Sequence, residues 1–404
     1  MVGQNQATSA SPDALPHDVG IPRVVVIAPD SFKGSASAAD ASKAIATGWS
    51  RVRPGDLIIL KPMADGGEGT VDAFAAAFPG ATAIPITVRG PDDRPVQTSW
   101  LHLPKDSSGS ASSAGGTAVI ELASTSGITL LDPLLPLTAH TYGFGQAIAA
   151  ALEAGVSRLV LAIGGSASTD GGSGMLAALG ARFLDADGRV IPLGGAHLAD
   201  LATIDLTGLV RIPVDGVVVL TDVTNPLLGP TGAAAIYGPQ KGADDDAVNE
   251  LERSLRHFST RAAATFGNPG SVPSPDARGA GAAGGTGYGL TLWGASLQSG
   301  ATTISELIGL ADALDEADIV ITGEGRYDEQ SAQGKVPTIV LDLAAKSNAQ
   351  SYLVAGAITT QSNPFAATRS LTDLAGSSEA AQTDAIHWLE VAGAELALET
   401  AATG

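Results

Sequence analysis

The chain has 404 residues, of which 44% are hydrophobic and only 4% aromatic, so its core must consist mainly of Ala, Val, Leu and Ile. This length exceeds what one ordinary hydrophobic core supports, and two domains are expected. A formal net charge of −20 argues against nucleic acid and anionic membranes as partners, because both require clustered Lys and Arg. The absence of cysteine excludes disulfides, thiolate metal sites and a cysteine nucleophile.

The sequence predicts a cytoplasmic protein, because it shows neither a signal peptide nor a membrane span. Residues 1–20 are polar, lack the apolar stretch of a signal peptide and are expected to form a disordered lead-in. No later segment approaches the ~20 apolar residues that a membrane span requires. A homodimer is compatible with the sequence but is not specified by it.

Short apolar runs then alternate with Ala- and Leu-rich helical patterns, which predicts βαβ units and a parallel sheet. The predicted strands are residues 23–28, 57–61, 119–122, 159–163, 217–220, 318–322 and 352–355. The predicted helices are residues 36–50, 71–78, 145–154, 174–179, 246–266, 304–314, 338–346 and 377–398. Two stretches rich in Gly, Ser or Pro predict surface loops, namely residues 106–116 and 267–279.

Glycine-containing stretches with reactive side chains follow five of the predicted strands. They are residues 29–35, 65–70, 166–172, 221–226 and 323–328. Open parallel sheets bind ligands outside the carboxyl ends of their strands. Glycine lets backbone N–H groups approach an anion, and a helix N-terminus adds a favourable dipole. The acidic side chains in these loops would repel an anion unless a metal ion lay between them and it. The pattern therefore indicates a site for a Mg-nucleotide.

The first two stretches allow both a functional and a structural interpretation. Lys33 is able to neutralise a phosphate beside Ser31, but capping of the next helix is favoured for this segment alone, since the P-loop spacing is absent. Asp65 and Glu68 stand three residues apart among glycines and can share a metal or a reacting hydroxyl. The alternative is a tight turn in which Glu68 stabilises the dipole of the next helix.

Residues 164–172 carry the strongest signal. Gly164 and Gly165 open the stretch, Ser166 supplies a hydroxyl and Asp170 a carboxylate. The competing interpretation is a long strand-to-helix connection that Asp170 caps. Glycines at both ends favour a functional loop, because a simple connection does not require them.

Three further segments contribute candidates of lower specificity. Asp222 and Asn225 offer oxygen atoms suited to Mg²⁺ or substrate hydroxyls, and an Asx-turn before proline is an equal alternative. Lys241 either reaches a phosphate or is solvated beside a turn. Gly284 and Gly285 belong to a segment with a GxGxxG pattern; it does not follow a strand, so a dinucleotide site is rejected, although contact with a ligand stays open.

The last cluster contains Glu324 and Arg326. Arg326 can bind a carboxylate bidentately or stabilise a transferring phosphoryl group, and the alternative is a surface ion pair of little energetic value. The glycines at positions 323 and 325 favour function. The six histidines show no zinc-hydrolase spacing, and the nucleophile motif of serine hydrolases is absent.

Seven segments resemble motifs of the bacterial glycerate kinase family (type I glycerate 2-kinases), and they follow one another in the same order as in that family. They are residues 28–35, 62–70, 163–172, 222–230, 238–242, 279–285 and 321–326. The resemblance implies ATP-dependent phosphorylation of D-glycerate, commonly at its 2-hydroxyl, with Mg²⁺. It also implies two α/β domains with the active site in the cleft between them. One is discontinuous and Rossmann- or flavodoxin-like (residues 21–85 plus 300–404), and the other is inserted (residues 86–299). Departures from the family pattern at Ala139, His140, Phe144 and Thr169 could alter the fit of the substrate.

The resemblance and the motifs together predict the roles of individual residues. The expected catalytic residues are Lys33, Asp65, Asp170 and Arg326, with Asp170 or Asp65 as the base. The expected ligand-binding residues are Ser31, Gly66, Gly67, Glu68, Gly164, Gly165, Ser166, Asn225, Lys241, Gly284, Gly285 and Glu324, and the expected metal ligands are Asp222 and Asp170. The alternatives are a sensor without catalysis and a kinase for another small hydroxy acid.

Overall fold

The computed structural model describes residues 21–32, 34–104, 115–267, 272–329, 335–360 and 363–402. The predicted lead-in over residues 1–20, the predicted site residue Lys33 and most of the predicted loop 106–116 lie outside these ranges. The remaining residues form an α/β structure with two large sheets and one small sheet.

The strands and helices alternate along most of the chain. The strands are β1 (Val24–Pro29), β2 (Leu57–Leu60), β3 (Thr82–Arg89), β4 (Pro95–Leu103), β5 (Thr117–Glu121), β6 (Arg158–Ala162), β7 (Arg182–Leu184), β8 (Thr203–Asp205), β9 (Val217–Leu220), β10 (Ser296–Gln298), β11 (Ile319–Tyr327), β12 (Gln350–Ile358) and β13 (Ala367–Ser370). The α-helices are α1 (Ala38–Val52), α2 (Thr70–Ala77), α3 (Ala123–Ser126), α4 (Tyr142–Glu153), α5 (Ser173–Ala178), α6 (Ala233–Tyr237), α7 (Asp245–Thr265), α8 (Thr286–Trp293), α9 (Gly300–Leu307), α10 (Leu310–Asp315), α11 (Val336–Ser347), α12 (Leu371–Ala375), α13 (Ser378–Thr383) and α14 (Ala385–Ala402).

The first large sheet is parallel, with the strand order β13-β12-β11-β1-β2. This is the flavodoxin-like order, in which the direction of strand addition reverses between β1 and β11. Val25 to Ala28 of β1 are fully buried, as expected of a central parallel strand covered on both faces. The sheet is built from two separate parts of the chain, which confirms the predicted flavodoxin-like and discontinuous arrangement of this sheet.

The second large sheet is mixed, with the order β10-β9-β6-β5-β4-β3. Strands β5, β6, β9 and β10 are parallel, whereas β4 pairs antiparallel with β5 and with β3. The hairpin of β3 and β4 was not among the predicted elements. It turns at Gly90, whose N–H donates to the Arg94 carbonyl (2.7 Å). Since β3 begins at Thr82, this sheet starts before the predicted boundary at residue 85; the domain boundaries remain a prediction.

One apolar cluster joins the two large sheets. Val26 and Ala28 from β1 share it with Val119, Val160 and Leu220 from the second sheet, together with side chains of α2, α9, α10 and α11. All of these strand residues are buried. The shared packing brings the carboxyl ends of β1 and β2 close to those of β5, β6 and β9.

Two predicted helices are each divided into two. The predicted helix 304–314 is divided into α9 and α10 at Gly309, which adopts a left-handed conformation (φ 66°). The C-terminal pattern forms the short α13 and the long α14, which packs extensively against α1. Among the helices in the described ranges, none has the length and apolar character needed to cross a bilayer.

Candidate active site

A cavity of about 1040 Å³ opens where the carboxyl ends of strands from both large sheets meet. Its walls include residues from the segments that follow β1, β2, β5, β6 and β9. It lies at the position that open α/β sheets use for ligands, and its volume suits a nucleotide with a small second substrate. Of the predicted site residues, it brings together Ser31, Asp65, Gly66, Gly67, Glu68, Gly164, Gly165 and Asp222.

The two glycine-rich loops contact each other directly. The Gly164 N–H donates to the Gly66 carbonyl at 3.1 Å. A Cβ atom on Gly164 would lie 2.6 Å from the Cα of Gly67, closer than side-chain carbons approach. Gly66 itself has a φ of 91°, a conformation that favours glycine. Some of the glycines in these loops are therefore required for close packing between loops from different sheets, and not for binding an anion.

The cavity wall is strongly acidic. Six carboxylates line it, from Asp40, Asp65, Glu68, Asp72, Glu121 and Asp222. Within the described ranges, no Lys or Arg belongs to this wall. Charges of one sign facing a confined space create a field that attracts cations and opposes free anions. An anionic substrate therefore requires a cation that enters with it.

Asp222 carries two hydrogen bonds at one carboxylate oxygen. The Ser299 hydroxyl and the Gly300 N–H both donate to its Oδ1 at 2.9 Å. The residue is open to the cavity, but the protein around its carboxylate removes part of the water shell, which raises its pKa. The nearby Asp65 carboxylate acts in the same direction. Asp65 and Asp222 thus influence each other electrostatically across the cavity.

Asp170 is fully buried and does not belong to the cavity wall. Its Oδ2 accepts from the Thr141 N–H (2.9 Å), the Thr141 hydroxyl (2.8 Å) and the Gly174 N–H (3.2 Å), and its Oδ1 accepts from the Gly172 N–H (3.1 Å). Thr141 and Gly172 are the N-cap residues of α4 and α5, and Gly174 lies in the first turn of α5. The placement matches the structural interpretation of Asp170 and offers no path to a substrate or a metal in the cavity.

Lys241 is buried behind the loop of residues 164–172. Its Nζ donates to the Ser166 hydroxyl (2.8 Å) and to the Ser168 carbonyl (2.5 Å). Burial lowers its pKa to about 7, and the charge of Asp170 opposes this effect only in part. Neither Lys241 nor Ser166 lines the cavity. Lys241 supports the loop from inside the protein, where the sequence predicted contact with a phosphate.

The depressed pKa of Lys241 makes the stability depend on pH. Between pH 7 and the ordinary lysine pKa of 10.5, the unfolded chain binds more protons than the folded one, so the free energy of unfolding rises with pH. Lys241→Met removes this contribution, on the order of a few kcal/mol across the window. Urea denaturation of both proteins from pH 7 to pH 10 measures it. A stability difference that does not change with pH would contradict the lowered pKa.

Asn225, Gly284 and Gly285 also serve packing. The amide of Asn225 donates to the Thr231 carbonyl (2.8 Å) and its oxygen accepts from the Tyr237 hydroxyl (2.7 Å). Gly284 has a φ of 65°, and a Cβ on it would lie 2.0 Å from the Ser168 carbonyl oxygen. None of the three lines the cavity. The glycine-rich segment supports the rear of the loop of residues 164–172 where a ligand contact was predicted.

Arg326 lies beside a second, smaller space of about 80 Å³. It is exposed near the end of β11, whereas Glu324 of the same strand is buried. Phe32 and Ser35 line this smaller space too, and Ser35 also lines the large cavity. The segment after β1 therefore separates Arg326 from the large cavity. Both spaces border the point between β1 and β11 where the strand order reverses.

Glu121 is a site residue that the sequence motifs did not identify. It is the last residue of β5, it is buried, and it lines the cavity. Burial raises its pKa to about 7, although the Val71 N–H donates to its Oε1 at 2.6 Å. The charges of Asp72 and Glu68 raise it further. A carboxylate at the carboxyl end of a buried parallel strand is the signal that would have found it.

A model of the glycerate kinase family matches residues 25–400. The chain belongs to this family. It is 43% identical over 343 residues to a glycerate kinase of Bacillus subtilis, and the matched region covers 84% of this chain and 86% of that protein. It is 41% identical over 339 residues to the glycerate 2-kinase of Escherichia coli, with coverages of 83% and 85%.

A solved structure is similar over almost the whole length. It was assigned as glycerate kinase 2 of Salmonella typhimurium LT2, and the comparison gives a TM-score of 0.79 at 35% identity, covering 95% of this chain and 99% of that chain. The predicted membership of the glycerate kinase family is thus confirmed, and the chain is an enzyme of that family. The family departures noted in the sequence (Ala139, His140, Phe144 and Thr169) are all buried and do not line the large cavity.

Proposed function

We propose that this glycerate kinase family member transfers the γ-phosphoryl group of ATP to the 2-hydroxyl of D-glycerate. The observation that carries the proposal is the acidic cavity of about 1040 Å³ at the carboxyl ends of strands from both sheets. The chain is 41% identical to a glycerate 2-kinase, and this similarity supports the choice of the 2-hydroxyl. Phosphoryl transfer depends chiefly on positioning and electrostatics, which a cavity walled by five loops is suited to supply.

Mg²⁺ is the second part of the proposal. The described residues contain no group of three or more His, Asp or Glu side chains arranged to hold a metal. Mg²⁺ commonly binds through one or two carboxylates together with substrate phosphates and water, so Asp222 fits this ion. When bound, Mg²⁺ would neutralise charge on the phosphates. Burial raises the pKa of Asp222 and the charge of Asp65 adds to this effect, and a cation bound there would oppose both.

Asp65 is the proposed base. It lines the cavity, and within the described part of the chain its Oδ1 accepts one long hydrogen bond, from the Gly67 N–H at 3.2 Å. Its carboxylate is therefore able to take the proton of the glycerate hydroxyl as the new bond to phosphorus forms. Asp170, the other predicted base, is saturated by donors inside the protein. We therefore assign neither base nor metal function to Asp170.

The positive charges of the site come from the segments after β1 and within β11. Arg326 would bind the carboxylate of glycerate or the moving phosphoryl group, provided that the segment around Ser35 rearranges. Lys33, which lies outside the described ranges, would offset phosphate charge from the same segment. A cytoplasmic location belongs to the proposal, because ATP is a cytosolic phosphoryl donor. Homodimer formation is a separate prediction that sedimentation measurements address.

The test is a coupled ADP-release assay with D-glycerate and MgATP, followed by ³¹P NMR of the product. ADP release with a 2-phosphoglycerate signal is the expected result. A 3-phosphoglycerate signal would overturn the assignment of the hydroxyl alone. Binding of MgATP and glycerate without ADP release would favour a sensor, and release with a different hydroxy acid in a substrate panel would change the substrate.

A further inference from the structure

Helix α2 begins at the glycine-rich loop of the cavity without a cap of its own. Its N-terminal cap residue is Gly69, which is left-handed (φ 92°) and has no side chain to accept a hydrogen bond. The first N–H groups of a helix have no partner within the helix and require one from elsewhere. An N-terminal cap that lacks a side-chain acceptor typically weakens the first turn.

Glu121 supplies this acceptor from the other sheet. Its Oε1 accepts from the N–H of Val71, the second residue of α2, at 2.6 Å. Fifty sequence positions separate the two residues. The Glu121 side chain is buried at the end of β5, so its orientation is fixed by its surroundings. A hydrogen bond from a backbone N–H to a carboxylate is stronger than one to a neutral oxygen.

The loop of residues 65–69 is therefore held near both ends by residues that belong to, or directly follow, strands of the second large sheet. The Gly66 carbonyl accepts from the Gly164 N–H at 3.1 Å near the beginning, and Glu121 holds the helix start just after the end. Between these two contacts lie the cavity carboxylates of Asp65 and Glu68. The position of Asp65, the proposed base, thus depends on both contacts.

We propose that Glu121 is a positioning residue of the phosphoryl-transfer site, which caps α2 from the opposite sheet and thereby fixes the loop that carries Asp65. This inference rests on the proposed function for its effect on turnover, but the capping itself is independent of it. The charged groups that face Glu121 are Glu68 and Asp72, both negative, from the loop and helix that it holds. They favour the protonated form of Glu121, which is the weaker acceptor.

The experiment compares Glu121→Ala, which removes the acceptor, with Glu121→Gln, which keeps a neutral one. Glu252→Gln is the matched control, because Glu252 also accepts from a backbone N–H, that of Gly229 (3.0 Å), but does not line the cavity. Per folded molecule, Glu121→Ala is expected to lower kcat about tenfold to a hundredfold, with a smaller change in the KM for glycerate. Glu121→Gln should have an intermediate kcat, close to that of the wild type below pH 7, because both then offer a neutral acceptor, and the control should match the wild type.

Two readouts separate positioning from a general loss of stability. Hydrogen exchange of the amides in residues 66–72 should accelerate in Glu121→Ala, accelerate less in Glu121→Gln and stay at the wild-type rate in the control. Because the pKa of Glu121 is raised to about 7, the wild-type kcat should rise with pH around 7, and Glu121→Gln should lack this rise.

The outcomes are distinct for the inference and for the proposed function. Wild-type kcat and wild-type exchange in Glu121→Ala would overturn the inference, as would a Glu121→Gln variant as impaired as Glu121→Ala. Should Glu121→Ala fail to fold, Glu121→Gln decides: retention of the wild-type rise near pH 7 overturns the inference, and a pH-independent kcat close to the wild-type value below pH 7 supports it. If the wild type itself shows no ADP release, the proposed function fails, while the exchange measurement still tests the capping.

Discussion

Asp65→Asn is expected to lower kcat by about 10²- to 10⁴-fold, the range typical of losing a general base. Asparagine has the same shape, and its side-chain oxygen can still accept from the Gly67 N–H, so the loop keeps its conformation. It cannot take the proton of the glycerate hydroxyl. We expect the free energy of unfolding to change little, because Asp65 is open to the cavity and, among the described residues, accepts one long hydrogen bond. Steady-state kinetics with the coupled assay measure the effect.

Asp40→Asn is the control for a simple effect of charge. Asp40 lines the same cavity from α1, and its largely exposed carboxylate accepts from the Ser37 hydroxyl at the start of that helix. Removing its charge should leave kcat within about threefold, since exposed charges at this distance are screened by solvent. If Asp65→Asn keeps wild-type turnover, another carboxylate of the wall takes the proton and the assignment of Asp65 is wrong.

The regular elements of the parallel sheet could be predicted because their pattern is local. β1 is an uninterrupted apolar run followed by a capped amphipathic helix, and the predicted range differs from the observed one by a single residue at each end. The hairpin of β3 and β4 could not be predicted in the same way. Pro85 lies inside β3 and Pro95 begins β4, and exposed residues interrupt the apolar pattern. Pairing of β4 with β5, which is distant in sequence, joins this hairpin to the second large sheet.

The loops of the cavity could be predicted, but the function of single residues within them could not. Residues 65–69 and 164–165 do meet in one wall, as the motifs predicted. Asp170 has the same local signature whether it faces a ligand or caps a turn, because capping and catalysis both use carboxylates beside glycine. The position of Glu121 at the end of a buried strand is visible in the sequence, but its contact with Val71 is not, because the two residues are distant in sequence. The direction of a side chain is decided by tertiary contacts that local patterns do not contain.

A second substitution, at Asp170, is expected to have its large effect on the free energy of unfolding and not on turnover. Asp170→Asn should reduce the free energy of unfolding by about 2–4 kcal/mol, the cost of disturbing a buried group whose partners lose their acceptor. The carboxylate accepts from four donors of Thr141, Gly172 and Gly174, and an amide nitrogen would face at least one N–H where an oxygen now stands. Equilibrium denaturation in urea measures the change.

Comparing stability and turnover in the same two variants distinguishes a structural carboxylate from a catalytic one. If Asp170 only holds the starts of α4 and α5, Asp170→Asn loses stability, yet its folded fraction keeps a kcat within about tenfold of wild type, since loop 164–172 shifts slightly. Asp65→Asn should show the opposite combination, with normal stability and a large loss of turnover. An Asp170→Asn enzyme that is as stable as wild type but loses about 10³-fold in kcat would restore Asp170 as the base and require the cavity to open toward it.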